Sequence, residues 1–393
     1  MISDGKILIS GAGIAGLTLA VLLKEQGLEP LVIERDQALR TEGYMMDFFG
    51  SGWDVAARMG LEPELRAIHY PIDQLQFVNS EGAVWFSAPI DRIRRALGGN
   101  YVYLRRSDLE RILYDRAVAR GVAIRFGCQA TALRDTGNAV GVTFDDGSED
   151  TFRLVFGADG LHSRVRRLVF GEDSRFERFL GGYVAAFHLD HHGFDIGRAL
   201  KIHEETDRIA MFYPLDATRM ATTYAFRHAE TRVPADKRLE FVRGEFKGAG
   251  WISEQMLDLY QEKEPIYFDS LTQIVMPHWY QGRAALLGDA CGCLTLLAGQ
   301  GSHMAMAGAY VIAGELARHE GDYRSAFAAY EAKLKPAVTA KQNEAAQFAR
   351  YFIPSARSRP WVRRLFIRLM FSPLFLPLVF RWFGARSVLE GYD

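Results

Sequence analysis

Cysteine is scarce in this chain of 393 residues: only Cys128, Cys291 and Cys293 occur. Three thiols at such spacings cannot staple a small secreted scaffold, and they point to a reducing compartment. Neither sign of charge is in excess. A formal net charge of −1 lacks the clustered basic surplus that a nucleic-acid partner requires, so none is expected. No run of ~18 uninterrupted apolar residues occurs, so no transmembrane helix is predicted. The start does not read as a signal peptide, because Asp4 and Lys6 precede the first apolar run and Gly11, Gly13 and Gly16 break it. His162, His203 and His303 show no ligand spacing, so no metal site is expected. Repeats and low-complexity segments are absent. These exclusions leave a cytoplasmic globular enzyme. Its 49% hydrophobic and 24% charged residues suffice for two domains or one large composite.

What is present begins at the first apolar run. Lys6 to Ser10 suits a buried parallel strand, and Gly11-Ala12-Gly13-Ile14-Ala15-Gly16 follows it. Leu17 to Gln26 carries apolar residues at helical spacing, Gly27 closes that helix, and Leu31-Val32-Ile33-Glu34 is a second buried strand. In this context the first glycine permits the tight turn. The second admits a pyrophosphate close to the backbone, and the third lets helix pack on strand. The helix start offers free N–H groups and positive dipole to phosphate. Glu34, with Arg35 beside it, ends the second strand. A carboxylate there accepts from ribose hydroxyls and repels a 2′-phosphate, which suits FAD or NAD.

Further along, the pattern predicts a helix within 52–66 ending near a Gly60 turn, a hairpin over 75–86 around Gly82, and an amphipathic helix over 105–120. Strands are expected at 122–127, 140–145 and 151–156, with Asp145-Asp146-Gly147 as a turn. Strand-like runs at 183–187, 210–213 and 220–226, with helical pattern at 237–247 and 253–261, form a separate inserted sheet. Strand pattern returns at 284–287, and helices at 301–317 and 322–350. Two more glycine-bearing turns stand out. Gly157-Ala158-Asp159-Gly160 precedes Ser163, a helix N-cap candidate, and Gly288-Asp289-Ala290 is followed by Gly299-Gln300-Gly301 at a helix start. The fold expected is α/β: a Rossmann-type FAD-binding domain (1–70, 100–175 and 276–350) interrupted by a β-rich substrate domain (71–99 and 176–275). A C-terminal helical, amphipathic segment (351–393) follows.

In this order the motifs resemble those of the flavin-dependent aromatic hydroxylases, the single-component class with a hydroxybenzoate-hydroxylase-like fold, over about residues 6–350. The resemblance implies that the glycine loop and Glu34 hold the adenosine and pyrophosphate of FAD. It assigns Asp159 to a motif shared by FAD and the pyridine nucleotide. Asp289, after Gly288, goes to the ribityl chain, and Gly299-Gln300-Gly301 lies beside the isoalloxazine ring. Arg106 matches a helix-borne residue touching the flavin, and Gly43 to Asp47 matches a loop bordering it. NADPH or NADH is implied as a transient co-substrate, with O2 reacting at reduced FAD and oxygen transferred through a flavin C4a-hydroperoxide. The family's proline pair is replaced by Thr295-Leu296, its usual Ala-His by Cys291-Gly292, and an acidic residue after the loop is lost in Ala307-Gly308-Ala309.

Asp47 and His303 are the candidates for proton transfer, since both fall on loops predicted beside the ring. Tyr213 and Tyr224, on the inserted sheet, are candidates for substrate contact. The apolar character of that sheet suits a bulky hydrophobic small molecule, such as a polyketide or a tetracycline-like polycycle. Two other functions are compatible with these residues: a non-redox cyclase holding FAD, and a membrane-associated flavin reductase. Cys291-x-Cys293 reads as small buried residues at a turn rather than a redox pair. The segment 361–383, apolar but punctuated by arginine and by Pro373 and Pro377, is expected to pack on the body, with peripheral membrane contact as the alternative. The chain is expected to be a monomer or homodimer.

Overall fold

Short apolar runs bounded by glycine become the centre of a parallel sheet. Ile7–Ser10, wholly buried, pairs in parallel with Pro30–Glu34 on one side and Leu154–Gly157 on the other. The computed structural model describes residues 5–40, 44–97, 99–191, 193–261, 266–355, 359–376 and 387–392. Six strands form this sheet, in the order Tyr280–Gln281, Ala284–Leu286, Leu154–Gly157, Ile7–Ser10, Pro30–Glu34 and Ala123–Phe126. Only its first pair is antiparallel. The helix Ile14–Glu25 crosses between the first two strands in sequence, and the helix Gly301–Arg318 packs against it. Gly301–Arg318 also packs on Gly50–Arg58 and on Tyr323–Phe352.

Two expected elements divide. The strand over 151–156 is two strands in different sheets. Glu149–Phe152 belongs to a small antiparallel sheet with Val140–Phe144 and Ala130–Asp135, and Leu154–Gly157 belongs to the main one. Arg153 marks the crossing, its backbone N–H donating to the Lys6 carbonyl at 2.9 Å. The helical region 52–66 divides at the expected Gly60 turn, which takes φ +68°, into Gly50–Arg58 and Glu62–Ala67.

The second large sheet has seven strands, in the order Tyr267–Ile274, Glu177–Asp190, Arg219–Arg227, Arg208–Pro214, Ala199–Glu205, Gln74–Val78 and Val84–Pro89. Pairing is antiparallel except between Ala199–Glu205 and Gln74–Val78. Side chains alternate between its faces. Phe187, Phe212, Tyr224 and Phe226 point to one face and form a core with Leu239, Val242 and Met256 of the helices Arg238–Glu245 and Ser253–Leu259. Val184, Ile209, Tyr213 and Ala225 point to the other, where Met45, Tyr101 and Tyr103 meet them. The second face is therefore the one turned toward the nucleotide-type fold.

Candidate active site

Three glycine turns meet at the carboxyl ends of the parallel strands. Gly11 holds φ +111°, and a Cβ there would collide with the Ala158 carbonyl and lie 2.9 Å from Asp159 Cα. The first and second turns thus touch backbone to backbone. A Cβ on Gly288 would lie 3.1 Å from that of Ala15, and one on Gly301 would lie 3.6 Å from Asp289 Oδ1 in the third turn. Glu34 ties the end of the second strand to the first turn: its Oε2 accepts from Ala12 N–H at 2.9 Å and its Oε1 from Asp36 N–H at 3.1 Å. Arg35 is half exposed and pairs with Asp36 at 3.8 Å.

Two helix ends open on the same space. Ile14–Glu25 begins at Gly13, and Gly301–Arg318 at Gln300; neither N-cap residue caps its helix through a side chain and neither helix has an acidic residue in its first turn, while Glu110 accepts from the Ile14 N–H of the first. By contrast Arg164–Phe170 is capped. Ser163 Oγ accepts from Arg166 N–H at 3.0 Å, and Asp159 Oδ2 accepts from Arg164 and Val165 N–H at 2.8 and 3.1 Å. Asp159 therefore commits its carboxylate within the protein, with its backbone lining the glycine turn. The N–H groups still free at these two helix starts can take an acceptor from elsewhere. A pyrophosphate at the first helix and an electron-rich ring at the second supply one, so these residues fit FAD.

Arg106 joins the pieces. Its guanidinium lies 2.7 Å from Glu110, and both side chains stand within 4 Å of where a Gly13 Cβ would be. Burial raises the Glu110 carboxyl, and Arg106 opposes that shift. Asp289 is likewise pushed up by burial and held down by Arg106. Tyr44 and Tyr267 pack edge to face at 5.4 Å, and burial raises both phenols against the pull of the same guanidinium. Glu110 and Tyr267 are additions to the residues marked by sequence. Glu110 is legible as the i+4 partner of Arg106, whereas Tyr267 has no motif around it.

The segment before Asp47 is a strand, not a loop. Met45–Phe48 pairs antiparallel with Val102–Arg105, which fixes Asp47 opposite Tyr103; Gly43 lies outside the described residues. The Asp47 side chain is surrounded by protein yet exposed to solvent, which places it in a recess, and Tyr101 OH donates to its Oδ1. Burial raises this carboxyl, and the Tyr101 hydrogen bond opposes it. Tyr103 stacks on Tyr213 at 5.6 Å, and burial pushes Tyr213 up to about 12. Asp47 and Tyr213 therefore share one wall with Tyr101 and Tyr103, two residues that no sequence pattern marks.

Two expectations are corrected. His303 is 3% exposed, wedged edge-on between Phe48 and Phe49, with Nε2 3.1 Å from the Asp47 carbonyl. Burial lowers its pKa to about 4. It is a neutral tie between helix and strand, not an accessible base. Tyr224 lies on the far face of its strand, fully buried, with its hydroxyl donating to Ser253 O at 3.0 Å. The alternation that brings Tyr213 to the recess sends Tyr224 away from it.

The loop before the second open helix carries strain. Thr295, a β-branched residue, sits at φ +88°; it is buried, and its Oγ1 has no hydrogen-bond partner. Cys291 and Cys293 on its near side are buried and unpaired, with thiols raised by burial. Cys291 Sγ lies 3.5 Å from Gly288 O, and Cys293 Sγ donates to Thr272 O at 3.6 Å, so each packs locally.

Comparison with known proteins places this geometry. The model of the FAD binding domain family matches residues 4–345. A flavin-dependent monooxygenase from an unknown prokaryotic organism is 32% identical over 344 residues, covering 86% of this chain and 87% of that one. The crystal structure of tetracycline destructase Tet(51) superposes with a TM-score of 0.82 at 30% identity, over 95% of this chain and 98% of that one. Klebsiella pneumoniae HpxO, crystallised with FAD and uric acid, superposes with a TM-score of 0.81 over 98% of both chains. At 20% identity that likeness is one of fold.

Proposed function

The chain belongs to the FAD binding domain family, among flavin-dependent monooxygenases, and from that premise we propose that it uses NADH or NADPH and O2 to oxygenate a bulky aromatic or enolic small molecule. The observation that carries the reading is the convergence of the three glycine turns, two helix starts and Arg106 beside a recess walled by Asp47, Tyr101, Tyr103 and Tyr213. Bound FAD supplies the redox and oxygen chemistry.

The protein's part is binding, orientation and proton control. The N–H groups at the start of Ile14–Glu25 hold the pyrophosphate, and Glu34 holds the adenosine ribose. Arg106, Asp289 and the Gly299-Gln300-Gly301 turn hold the rest of the cofactor. The open end of Gly301–Arg318 favours negative charge on the ring. Asp47, raised by burial, accepts the proton of a substrate hydroxyl, and Tyr101 holds the carboxylate in place. Tyr103 and Tyr213 present aromatic faces to a planar substrate. The neutral His303 and its phenylalanine neighbours close the back of the recess against water.

A tetracycline-like polycycle is the first substrate to assay, since it is enolic and aromatic and Tet(51) is named for such a substrate. Stopped-flow mixing of the FAD-loaded protein with NADPH, then O2, tests the proposal. The flavin should bleach, oxygen uptake should rise with substrate, and the product should gain one oxygen atom. A flavin that neither bleaches nor supports oxygen uptake with any phenolic or enolic compound refutes it. Asp47→Asn should lower kcat about 10²-fold or more with a smaller change in KM, the usual size of a general-base contribution.

A further inference from the structure

A surface helix normally turns its apolar side inward. The helix Pro360–Met370 does the reverse. Its only buried residue is Ile367. Beside it Arg363 points inward, donating to the Glu204 carboxylate at 2.7 and 2.9 Å and to the Phe352 carbonyl at 2.7 Å. Arg364 lies over the Trp85 ring at 5.3 Å, and Phe371 meets Phe86 at 5.6 Å. The helix and the residue after it are therefore fixed to the edge of the seven-stranded sheet by an ion pair, a cation–π contact, one aliphatic contact and one aromatic contact.

The outward side is apolar. Trp361, Val362, Leu365, Phe366 and Leu369 are each 45–63% exposed, and Leu374, just beyond the helix, is 76% exposed. At ~100° per residue the first five make one continuous stripe, with Arg364 and Arg368 along one border. A patch of this kind on a soluble protein marks an interaction surface.

Charge identifies the partner. Between Glu344 and Glu390 the sequence holds eight arginines and no aspartate or glutamate. A two-fold contact with a second copy would bring together two copies of a segment that has no carboxylate of its own to offset its arginines. Anionic headgroups neutralise Arg364 and Arg368 while the acyl region receives the tryptophan, leucine and phenylalanine side chains. No helix among the described residues is long and apolar enough to cross a membrane, so the contact is one of lying on the surface.

We propose that the helix Pro360–Met370 and the turn after it dock the protein on an anionic lipid bilayer. This stands on the outward stripe and its arginines alone and does not depend on the oxygenase reading. The test is co-sedimentation of the full-length, FAD-loaded protein with vesicles of phosphatidylcholine, alone or mixed with phosphatidylglycerol. Bound protein should be at least about tenfold greater on the mixed vesicles at low salt, and should fall as salt rises. Leu365→Glu with Phe366→Glu leaves Arg363 and Ile367 in place, so flavin absorbance and melting temperature should not change. Binding to the mixed vesicles should drop at least about tenfold. Equal pelleting with both vesicles, or pelleting unaffected by the double substitution, overturns the proposal. So does failure to pellet together with a dimer that the substitution dissolves, which would assign the stripe to a second copy of the chain.

Discussion

Replacing Arg106 with methionine separates its structural role from its cofactor role. The guanidinium is 2.7 Å from Glu110, whose side chain is 5% exposed. Removing one member of a buried pair strands the other, at a cost of about 3–5 kcal/mol. Arg106 itself retains 27% exposure, which allows water to the stranded carboxylate, so the lower figure of about 3 kcal/mol applies. Unfolding entropy of roughly 2.1 cal/mol/K per residue gives ~0.8 kcal/mol/K for this chain, so FAD-free Arg106→Met should melt about 4 °C lower. Burial already raises the Glu110 carboxyl, and losing Arg106 raises it further. The folded carboxyl then holds its proton more tightly than the unfolded one. The penalty is therefore absent below the ordinary carboxylate range and grows as pH rises through it. Pairing the change with Glu110→Leu removes both charges and should recover most of the lost stability. FAD affinity should not recover, because the guanidinium is still missing. Differential scanning calorimetry of FAD-free protein and fluorescence titration with FAD measure the two quantities. A single variant that melts within about 1 °C of the parent, which is roughly a quarter of the expected shift, or a double variant that regains full FAD affinity, refutes the reasoning.

Tyr213 and Tyr224 should respond differently to loss of the hydroxyl. Tyr224→Phe forfeits a buried bond to Ser253 O and should cost about 1–2 kcal/mol of stability with kcat/KM unchanged, whereas Tyr213→Phe should change KM for the substrate; a turnover defect in Tyr224→Phe would contradict the assignment of faces. His303, with its pKa lowered to about 4, binds its proton less readily folded than unfolded. Its contribution is intact above the ordinary histidine range, near pH ~6.5, and is lost as pH falls from there to about 4, by roughly 3 kcal/mol. His303→Gln should lose that part of the acid sensitivity in calorimetric scans over this window, and parallel pH profiles for the two proteins would count against it. Gly11→Ala places a Cβ on the Ala158 carbonyl at a positive φ and should cost more than about 2 kcal/mol and release FAD on gel filtration; full retention of the cofactor would show that the turn can relax.

The main sheet is legible in the sequence because its signal is local. Ile7–Ser10 and Pro30–Glu34 are continuous apolar runs fenced by glycine, and the spacing to Glu34 sets both ends of one βαβ unit. Helices such as Arg106–Ala119 and Gly301–Arg318 announce themselves by period and by the turn before them. The facing of the inserted sheet is not legible. Tyr213 and Tyr224 both stand on apolar, aromatic strands, and only the register between those strands decides which side each takes. Tyr213 pairs with Ala221 and Tyr224 with Ala210. Ala210 and Tyr213 lie an odd number of positions apart on one strand, so the two pairs, and with them the two tyrosines, face opposite sides. The strand Ala130–Asp135 gives little sequence signal, because its residues alternate weakly and it sits at the rim of a three-stranded sheet. The inward turn of Arg363 is hidden for a different reason. Its partner Glu204 lies 159 residues away, and no local pattern reports an ion pair made across the fold.

The departure at Thr295-Leu296 acquires a physical meaning from its surroundings. Proline would stiffen this loop through its own φ. Here the chain instead holds a β-branched residue at φ +88°, a conformation that costs of order 1–3 kcal/mol and persists only where neighbours over-determine it. Two buried glutamines do so. Gln273 Nε2 donates to the Leu294 carbonyl at 3.0 Å and to the Gln342 carbonyl at 2.8 Å, and Gln342 Nε2 donates to Cys293 O at 3.0 Å and Ile274 O at 2.6 Å. The two carbonyls just before Thr295 are thus clamped from a strand of the inserted sheet and from the long helix Tyr323–Phe352. The clamp fixes where the chain enters Gly299-Gln300-Gly301, and so where the open helix end points. Rigidity that prolines would supply from within the loop is supplied from outside it, and it couples the inserted sheet to this loop through Gln273. A loop held in this way can change its residues without losing its position.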